Sequence, residues 1–340
     1  MKKALSYDDV LLVPRYSDIE SRGQVDIGSS LGDDLKFKLP IISSPMDTVT
    51  EDKMACMMAS HGGLGIVHRY NSIEEQARTA ARALFEGNEK TVGAAIGMTG
   101  DYEQRALALC SVGVKVLCVD VAHGHHIMME RCLKTLKDRL QDRVHIMAGN
   151  VATLEGFEAL ASWGADSIRV GIGGGSICST RLISGHGVPT LESIMDCAKS
   201  IHDVKIIADG GIKTSGDIIK SLAAGADFVM IGSLLAGSEE TPGETFCGNT
   251  GKRYKVYRGM ASADAQNEWR GKTSTPEGIS TTVPYKGSAS GILEDLAGGI
   301  RSGLSYTGVR SLGELRCKAT FIRQTHAGQS ESSTHILRRN

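Results

Sequence analysis

The segment Gly171-Ile-Gly-Gly-Gly-Ser-Ile-Cys-Ser-Thr180 sets four glycines and a serine directly before a cysteine, with a threonine two residues on. Glycines let a backbone turn tightly and approach a ligand closely, and they leave N–H groups that can face an anion. A thiol just beyond such a loop is placed to attack whatever the loop holds, once its thiolate is favoured there. Cys178 is therefore the candidate nucleophile. Thr180 offers a hydroxyl that can relay a proton if a carboxylate lies close, and Glu277 in Pro276-Glu-Gly278 is the candidate carboxylate.

Two further glycine-bearing segments, Ile207-Ala-Asp-Gly-Gly-Ile212 and Met230-Ile-Gly-Ser233, each follow an apolar run. With the cysteine loop they supply phosphate donors: Ser176, Gly211, Gly232 and Ser233. Asp209 would repel a phosphate, so its expected partner is a ribose diol. Asp120, which opens Asp120-Val-Ala-His-Gly124, can hold the ribose or amide of a second ligand. His123, His125 and His126 crowd together, but no carboxylate stands at a spacing that would complete a zinc site.

These residues need a scaffold that brings distant loops to one face. Eight short β-rich runs supply it: 39–43, 65–68, 92–96, 115–120, 145–149, 167–171, 205–208 and 228–231. Helical periodicity lies between them, as in 72–84, 102–112 and 126–140. Eight strand–helix units with near-continuous apolar strands predict a parallel (β/α)8 TIM barrel, an α/β fold with its site at the strand C-termini. A doubly wound sheet is the alternative, and the lack of G-x-G-x-x-G after the first strand speaks against it. Residues 241–290 are polar and rich in Gly, Ser and Thr, which predicts a hairpin and a mobile flap over the site. The polar tail 325–340 is expected either to be disordered or to reach a neighbouring subunit. One domain spanning 1–340 is the expected organisation.

Bulk composition narrows the function. A net charge of −1 gives no basic field to recruit nucleic acid, and the Leu337–Asn340 end is too short to change that. The 41 glycines, about 12% against a usual ~7%, suit many tight strand-to-helix turns. No apolar run approaches the ~18 residues that span a membrane, and no apolar leader follows Met1. The eight cysteines lack C-x-x-C pairs, which fits buried thiols in a reducing cytoplasm.

From Leu5 to Ser332 the chain resembles the family of IMP dehydrogenase and GMP reductase. The resemblance rests on Ser6–Pro14, Ser43–Val49, Gly149–Val151, Gly171–Thr180, Ala208–Ile212, Gly232–Gly237, Tyr257–Met260 and Val283–Gly287. It implies a barrel, usually tetrameric, that stacks a nicotinamide cofactor on a purine nucleotide, GMP or IMP. Cys178 would attack purine C2. Ser44, Met46, Asn150, Tyr257, Gly259 and Met260 would line base and ribose, while Ser176, Gly211, Gly232 and Ser233 hold the phosphate and Asp209 the ribose. Asp120, Ala122, His123, Gly124 and Gly171 would meet the cofactor. The carbonyls of Gly173, Gly175 and Cys178 match a potassium site, with Glu331 and Ser332 resembling a neighbouring subunit's share. Gly174 departs from the family's usual proline, which loosens the loop.

The two activities of the family differ at the flap. IMP dehydrogenase oxidises IMP with NAD and hydrolyses a covalent intermediate, using an Arg-Tyr pair that activates water. Residues 261–277 are short and contain no such pair. GMP reductase expels ammonia from GMP and takes hydride from NADPH, with Thr180 and Glu277 shuttling the proton. The paired CBS domains common in dehydrogenases are also missing, and a brief linker at 86–90 stands there. Segments 233–243, 207–213 and 331–332 look more dehydrogenase-like, but the flap carries the distinguishing chemistry, and the expectation is a GMP reductase with IMP dehydrogenase as alternative. A flavin-dependent barrel oxidoreductase and a non-catalytic nucleotide sensor would use the same phosphate loops without needing Cys178.

Overall fold

A computed structural model describes residues 3–86, 91–249 and 251–332. Most of the 86–90 linker and the end of the tail, Leu337–Asn340 included, lie outside the described residues. Eight parallel strands close into a barrel in sequence order: β1 (Ile41–Ser43), β2 (Leu64–Val67), β3 (Gly93–Ile96), β4 (Val116–Asp120), β5 (His145–Val151), β6 (Ser167–Val170), β7 (Lys205–Asp209) and β8 (Phe228–Ile231). Closure comes from β8 pairing with β1, Val229 opposite Ile41. A doubly wound sheet is thereby excluded, and every strand lies within two residues of its sequence expectation.

The strands are apolar on both faces because both faces are covered. Inward, Ile42, Leu64, Ile66, Val116, Met147, Ile207, Phe228 and Met230 fill the barrel. The antiparallel pair Ser29–Gly32 and Leu35–Phe37 closes its lower mouth, with Phe37 edge-on to Phe228 at 5.5 Å between ring centroids. Outward, the strands pack on α1 (Asp52–Ser60), α2 (Ile73–Glu86), α3 (Tyr102–Ser111), α4 (Ile127–Leu140), α5 (Leu154–Ser162), α7 (Thr190–Cys197) and α8 (Ser215–Ala223), while the short α6 (Thr180–Ser184) buries none of its residues and only follows the cysteine loop. Caps fix where these helices begin. Thr153 accepts from the Gly156 amide, and Thr214 forms a reciprocal box with Asp217.

The segment after β8 holds more structure than a hairpin and a loop. It forms a three-stranded antiparallel sheet of β9 (Phe246–Cys247), β10 (Arg253–Arg258) and β11 (Ser280–Pro284). Between β10 and β11 lies α9 (Ala263–Arg270), capped by Ser262. Helix α10 (Ala289–Thr307) completes the eighth unit, followed by α11 (Leu312–Lys318). A strand at Phe321–Arg323 pairs with Val10–Leu12, and α12 (His326–Glu331) packs on residues 7–9. The tail is thus helical through Glu331 and seated on the chain's own N-terminal turn. Among the described residues, no helix is long and apolar enough to cross a membrane.

Candidate active site

The C-terminal ends of the strands surround a cavity of about 450 Å³. Its wall contains Cys178, Thr180 and Glu277, together with Ser44, Met46, Asn150, Gly171, Gly173, Gly175, Ser176, Asp209, Gly211, Gly232, Ser233, Tyr257, Gly259 and Met260. Asp120 and Ala122 line the side nearer β4, whereas His123 and Gly124 do not reach the wall. Gly124 is instead buried, its amide donating to the Asn150 carbonyl at 2.7 Å. Glu331 and Ser332 are exposed on α12, and neither side chain bonds the cysteine loop of its own chain.

The cysteine loop is held open by backbone that only glycine adopts easily. Gly171 has φ +147°, and a Cβ there would land on the Asp209 carbonyl oxygen. A Cβ at Gly174 would stand 2.5 Å from Thr190 Oγ1. The Cys178 thiol is exposed and donates to Thr180 Oγ1 at 3.2 Å. Burial pushes the Cys118, Cys132 and Cys197 thiols up to about 12, so they stay protonated and inert.

Glu277 reaches the thiol through the main chain. Its carbonyl accepts from the Ser179 amide at 2.9 Å, and the Ile279 amide donates to the Ile177 carbonyl at 3.0 Å. Flap and cysteine loop therefore run together as a short ladder. Glu277 and Thr180 face one cavity, with no side-chain bond joining them among the described residues. Tyr257 shares a 3.4 Å hydroxyl contact with Ser176, and burial pushes its phenol up, which keeps it a hydrogen-bond donor.

The cavity floor carries a residue that the motifs did not reveal. Arg169, 6% exposed on β6, spans the barrel top and bonds both Asp120 and Asp209, the latter at 2.8 Å. Burial works against its charge, but the carboxylates of Asp120 and Asp209 outweigh that and hold it well above the ordinary arginine range. Asn150 Nδ2 donates to the same Asp209 oxygen at 2.8 Å and to the Gly171 carbonyl. The two carboxylates expected to hold different ligands are thus tied to one guanidinium. The signal was available in Ser167-Ile-Arg-Val170, a charge in an otherwise apolar strand. Arg69 also lines the cavity, donating to the Asp120 carbonyl at 3.2 Å with its guanidinium 5.0 Å over the Tyr70 ring.

Three side-chain atoms at this floor are buried without a partner: Arg169 Nε, Arg69 Nε and Asn150 Oδ1. All three are closed to the cavity, so they belong to the packing beneath its wall rather than to the surface a ligand meets. The histidines stand apart from this set. Burial, with His125, His126 and His186 nearby, pushes His123 down and keeps it neutral at pH 7.

A family model described as IMP dehydrogenase / GMP reductase domain matches residues 4–335. The chain is 34% identical to an inosine-5'-monophosphate dehydrogenase of Nitrosopumilus maritimus, covering 98% of both chains. It is also 34% identical to a GMP reductase of Leishmania major, covering 99% of this chain and 98% of the relative. An inosine-5'-monophosphate dehydrogenase of Cryptosporidium parvum is 39% identical over 98% of this chain and 95% of its own. Among solved structures, a variant GMP reductase from Trypanosoma brucei in complex with guanosine 5'-monophosphate superposes with a TM-score of 0.92, at 31% identity and 98% coverage of each chain. With a family model over nearly its whole length and relatives above 30% identity throughout, the chain belongs to the IMP dehydrogenase / GMP reductase family of oxidoreductases.

Proposed function

We propose that the chain is a GMP reductase, converting GMP to IMP and ammonia with NADPH through a covalent bond between Cys178 and purine C2. The observation that carries this reading is the company of the thiol. Cys178 donates to Thr180, and the flap that covers them presents Glu277 from a backbone bonded directly to Ser179. These are groups for delivering a proton to a departing amine. The Cys178 thiolate adds to C2, and the C2–N bond breaks as the amine takes a proton relayed by Thr180 from Glu277. When bound, the nicotinamide cofactor supplies a hydride to C2. The C2–S bond then breaks and the thiolate is regenerated. Overall, GMP, NADPH and two protons give IMP, NADP+ and ammonium.

In this reading Ser176, Gly211, Gly232 and Ser233 hold the phosphate, Asp209 and Asn150 the ribose, and Ser44, Met46, Gly259 and Met260 the base. The cofactor would lie on the side of the cavity lined by Asp120 and Ala122. Potassium would take the carbonyls of Gly173, Gly175 and Cys178. One loop supplies only part of its oxygen shell, and Glu331 and Ser332 of a second copy in a homotetramer would supply more. One barrel domain, working in the cytoplasm, would suffice.

The second reading, IMP dehydrogenase with NAD, is favoured by the 39% identity to the Cryptosporidium parvum enzyme. Length does not separate the two, since the alignment runs over 481 residues with the Leishmania reductase and 387 with that dehydrogenase. The test is direct. Purified protein is given GMP with NADPH, and separately IMP with NAD, while the reduced nicotinamide band is followed. Signal lost in the first mixture only supports the reductase, and signal gained in the second only overturns it. Cys178→Ala should abolish turnover while retaining nucleotide binding, which a non-catalytic sensor would not predict.

A further inference from the structure

Helix α9 is fastened to the rim of the cavity at one carboxylate. Asp47, whose side chain is 4% exposed, follows the cavity-lining Ser44–Met46. Its Oδ2 accepts from Arg258 Nε at 3.0 Å, from Arg258 Nη2 at 2.5 Å and from Trp269 Nε1 at 3.0 Å. Arg258 also bonds Glu268 at 2.7 Å. Burial opposes the charge on Arg258, but the bonds to Asp47 and Glu268 hold it above its ordinary range. The Trp269 ring stands 6.5 Å from Tyr70, beside Arg69 at the wall of the cavity.

From α9 the connection runs inward. Gln266, 4% exposed, donates to the Ala261 carbonyl and accepts from both the amide and the hydroxyl of Ser274, at 2.8 and 2.9 Å. The Glu277 amide donates to the Ala261 carbonyl at 3.1 Å, and the Glu277 carbonyl holds Ser179 next to the nucleophile. Asp47 does not line the cavity itself, so its side chain serves the contacts with Arg258 and Trp269 rather than a ligand.

We propose that Asp47, through Trp269 and Arg258, is a positioning residue that seats α9 and thereby fixes Glu277 relative to Cys178 and Thr180. The proposal rests on the reading of Glu277 as proton donor. The latch acts on the placement of one carboxyl group more than on nucleotide binding, because Asp209, Gly211, Gly232 and Ser233 sit at the ends of β7 and β8 and Asn150 on β5, none of them bonded to Asp47 or α9.

Trp269→Phe keeps the ring against Tyr70 and removes the bond to Asp47, while Asp47→Asn removes the charge. Each should lower kcat roughly tenfold, about the worth of one charge-assisted hydrogen bond, with the KM for nucleotide within about threefold of the parent. Trypsin cleavage after Lys272 in the nucleotide-free protein should speed up by a similar factor, with the melting temperature little changed. The decisive measurement adds Glu277→Gln. If the latch works through Glu277, Trp269→Phe lowers kcat no more than about twofold further in that background. Full additivity, or an unchanged kcat with unchanged cleavage, overturns the proposal. A Glu277→Gln enzyme with normal kcat would instead defeat the proton-donor reading on which the proposal rests. Should IMP with NAD be the pair turned over, the cleavage rate alone decides.

Discussion

Arg169 offers the sharpest test of how the cavity floor is held. Arg169→Met removes the cation that bonds both Asp120 and Asp209, whose side chains are 17% and 16% exposed. Deleting one partner of a buried ion pair ordinarily costs about 3–5 kcal/mol, because a charge is left without compensation. Here two carboxylates lose the same partner. Both bond one guanidinium, so they sit roughly 5 Å apart, and at an effective dielectric of about 20 their repulsion is ~3 kcal/mol. Partial exposure lets water in and relieves some of both effects, so the expected loss stays near about 4 kcal/mol rather than twice that. The assay is urea unfolding without nucleotide, followed by fluorescence and by circular dichroism, with coincident transitions establishing two-state behaviour. The companion variant is Arg169→Met with Asp120→Asn and Asp209→Asn. It removes the charges together, and it should recover at least half of the loss. A single variant within about 1 kcal/mol of the parent, or a triple variant no better than the single, would refute the argument that electrostatic compensation holds this floor.

Other perturbations follow from the same geometry. Phe228→Ala empties the lower end of the barrel against Phe37 and should cost about 3–5 kcal/mol in urea, with nucleotide contacts untouched. Gly171→Ala puts a methyl group against the Asp209 carbonyl at a positive φ, so nucleotide affinity and stability should both fall, measured by titration calorimetry and melting. Gly174→Pro by itself should destabilise the loop, because its Cβ meets Thr190 Oγ1. Paired with Thr190→Ala it should be tolerated, a coupling of about 1–2 kcal/mol in a double-mutant cycle. Burial drops His145 to about 4, against the 6.5 of an unfolded chain, with Asp166 pulling the other way and Lys137 reinforcing the drop. Between those values the unfolded chain binds the proton and the folded protein does not, so stability should fall as pH drops from about 6.5 towards 4, by about 2–3 kcal/mol. His145→Gln should flatten that slope in pH-dependent melts.

How much of this was legible in the sequence depends on the range of the forces involved. The barrel was readable because its strands are short, mostly apolar runs, several of them next to a glycine turn, a local pattern that β2 and β8 display plainly. The wall of the cavity followed almost as directly, since the fold sends every strand's C-terminus to one face, and Cys178, Asp209 and Ser233 needed only that rule. What stayed hidden were partnerships between residues far apart in the chain. Asp47 and Trp269 are separated by 222 positions and Asp120 and Arg169 by 49, and neither pair leaves a periodicity to read. Each did leave a chemical oddity. Arg169 stands in a strand whose every residue is buried, and such a charge must find carboxylates or be unaffordable. The flap illustrates the same limit from the other side. Its polar composition pointed to a loop, yet Ser262 caps a helix whose tryptophan reaches a buried carboxylate, so tertiary hydrogen bonds supplied the order that local propensity withheld. A buried charge in an apolar strand, and a tryptophan in a polar flap, are therefore better pointers to the long-range wiring of this site than the glycine motifs, which mark only where a ligand can enter.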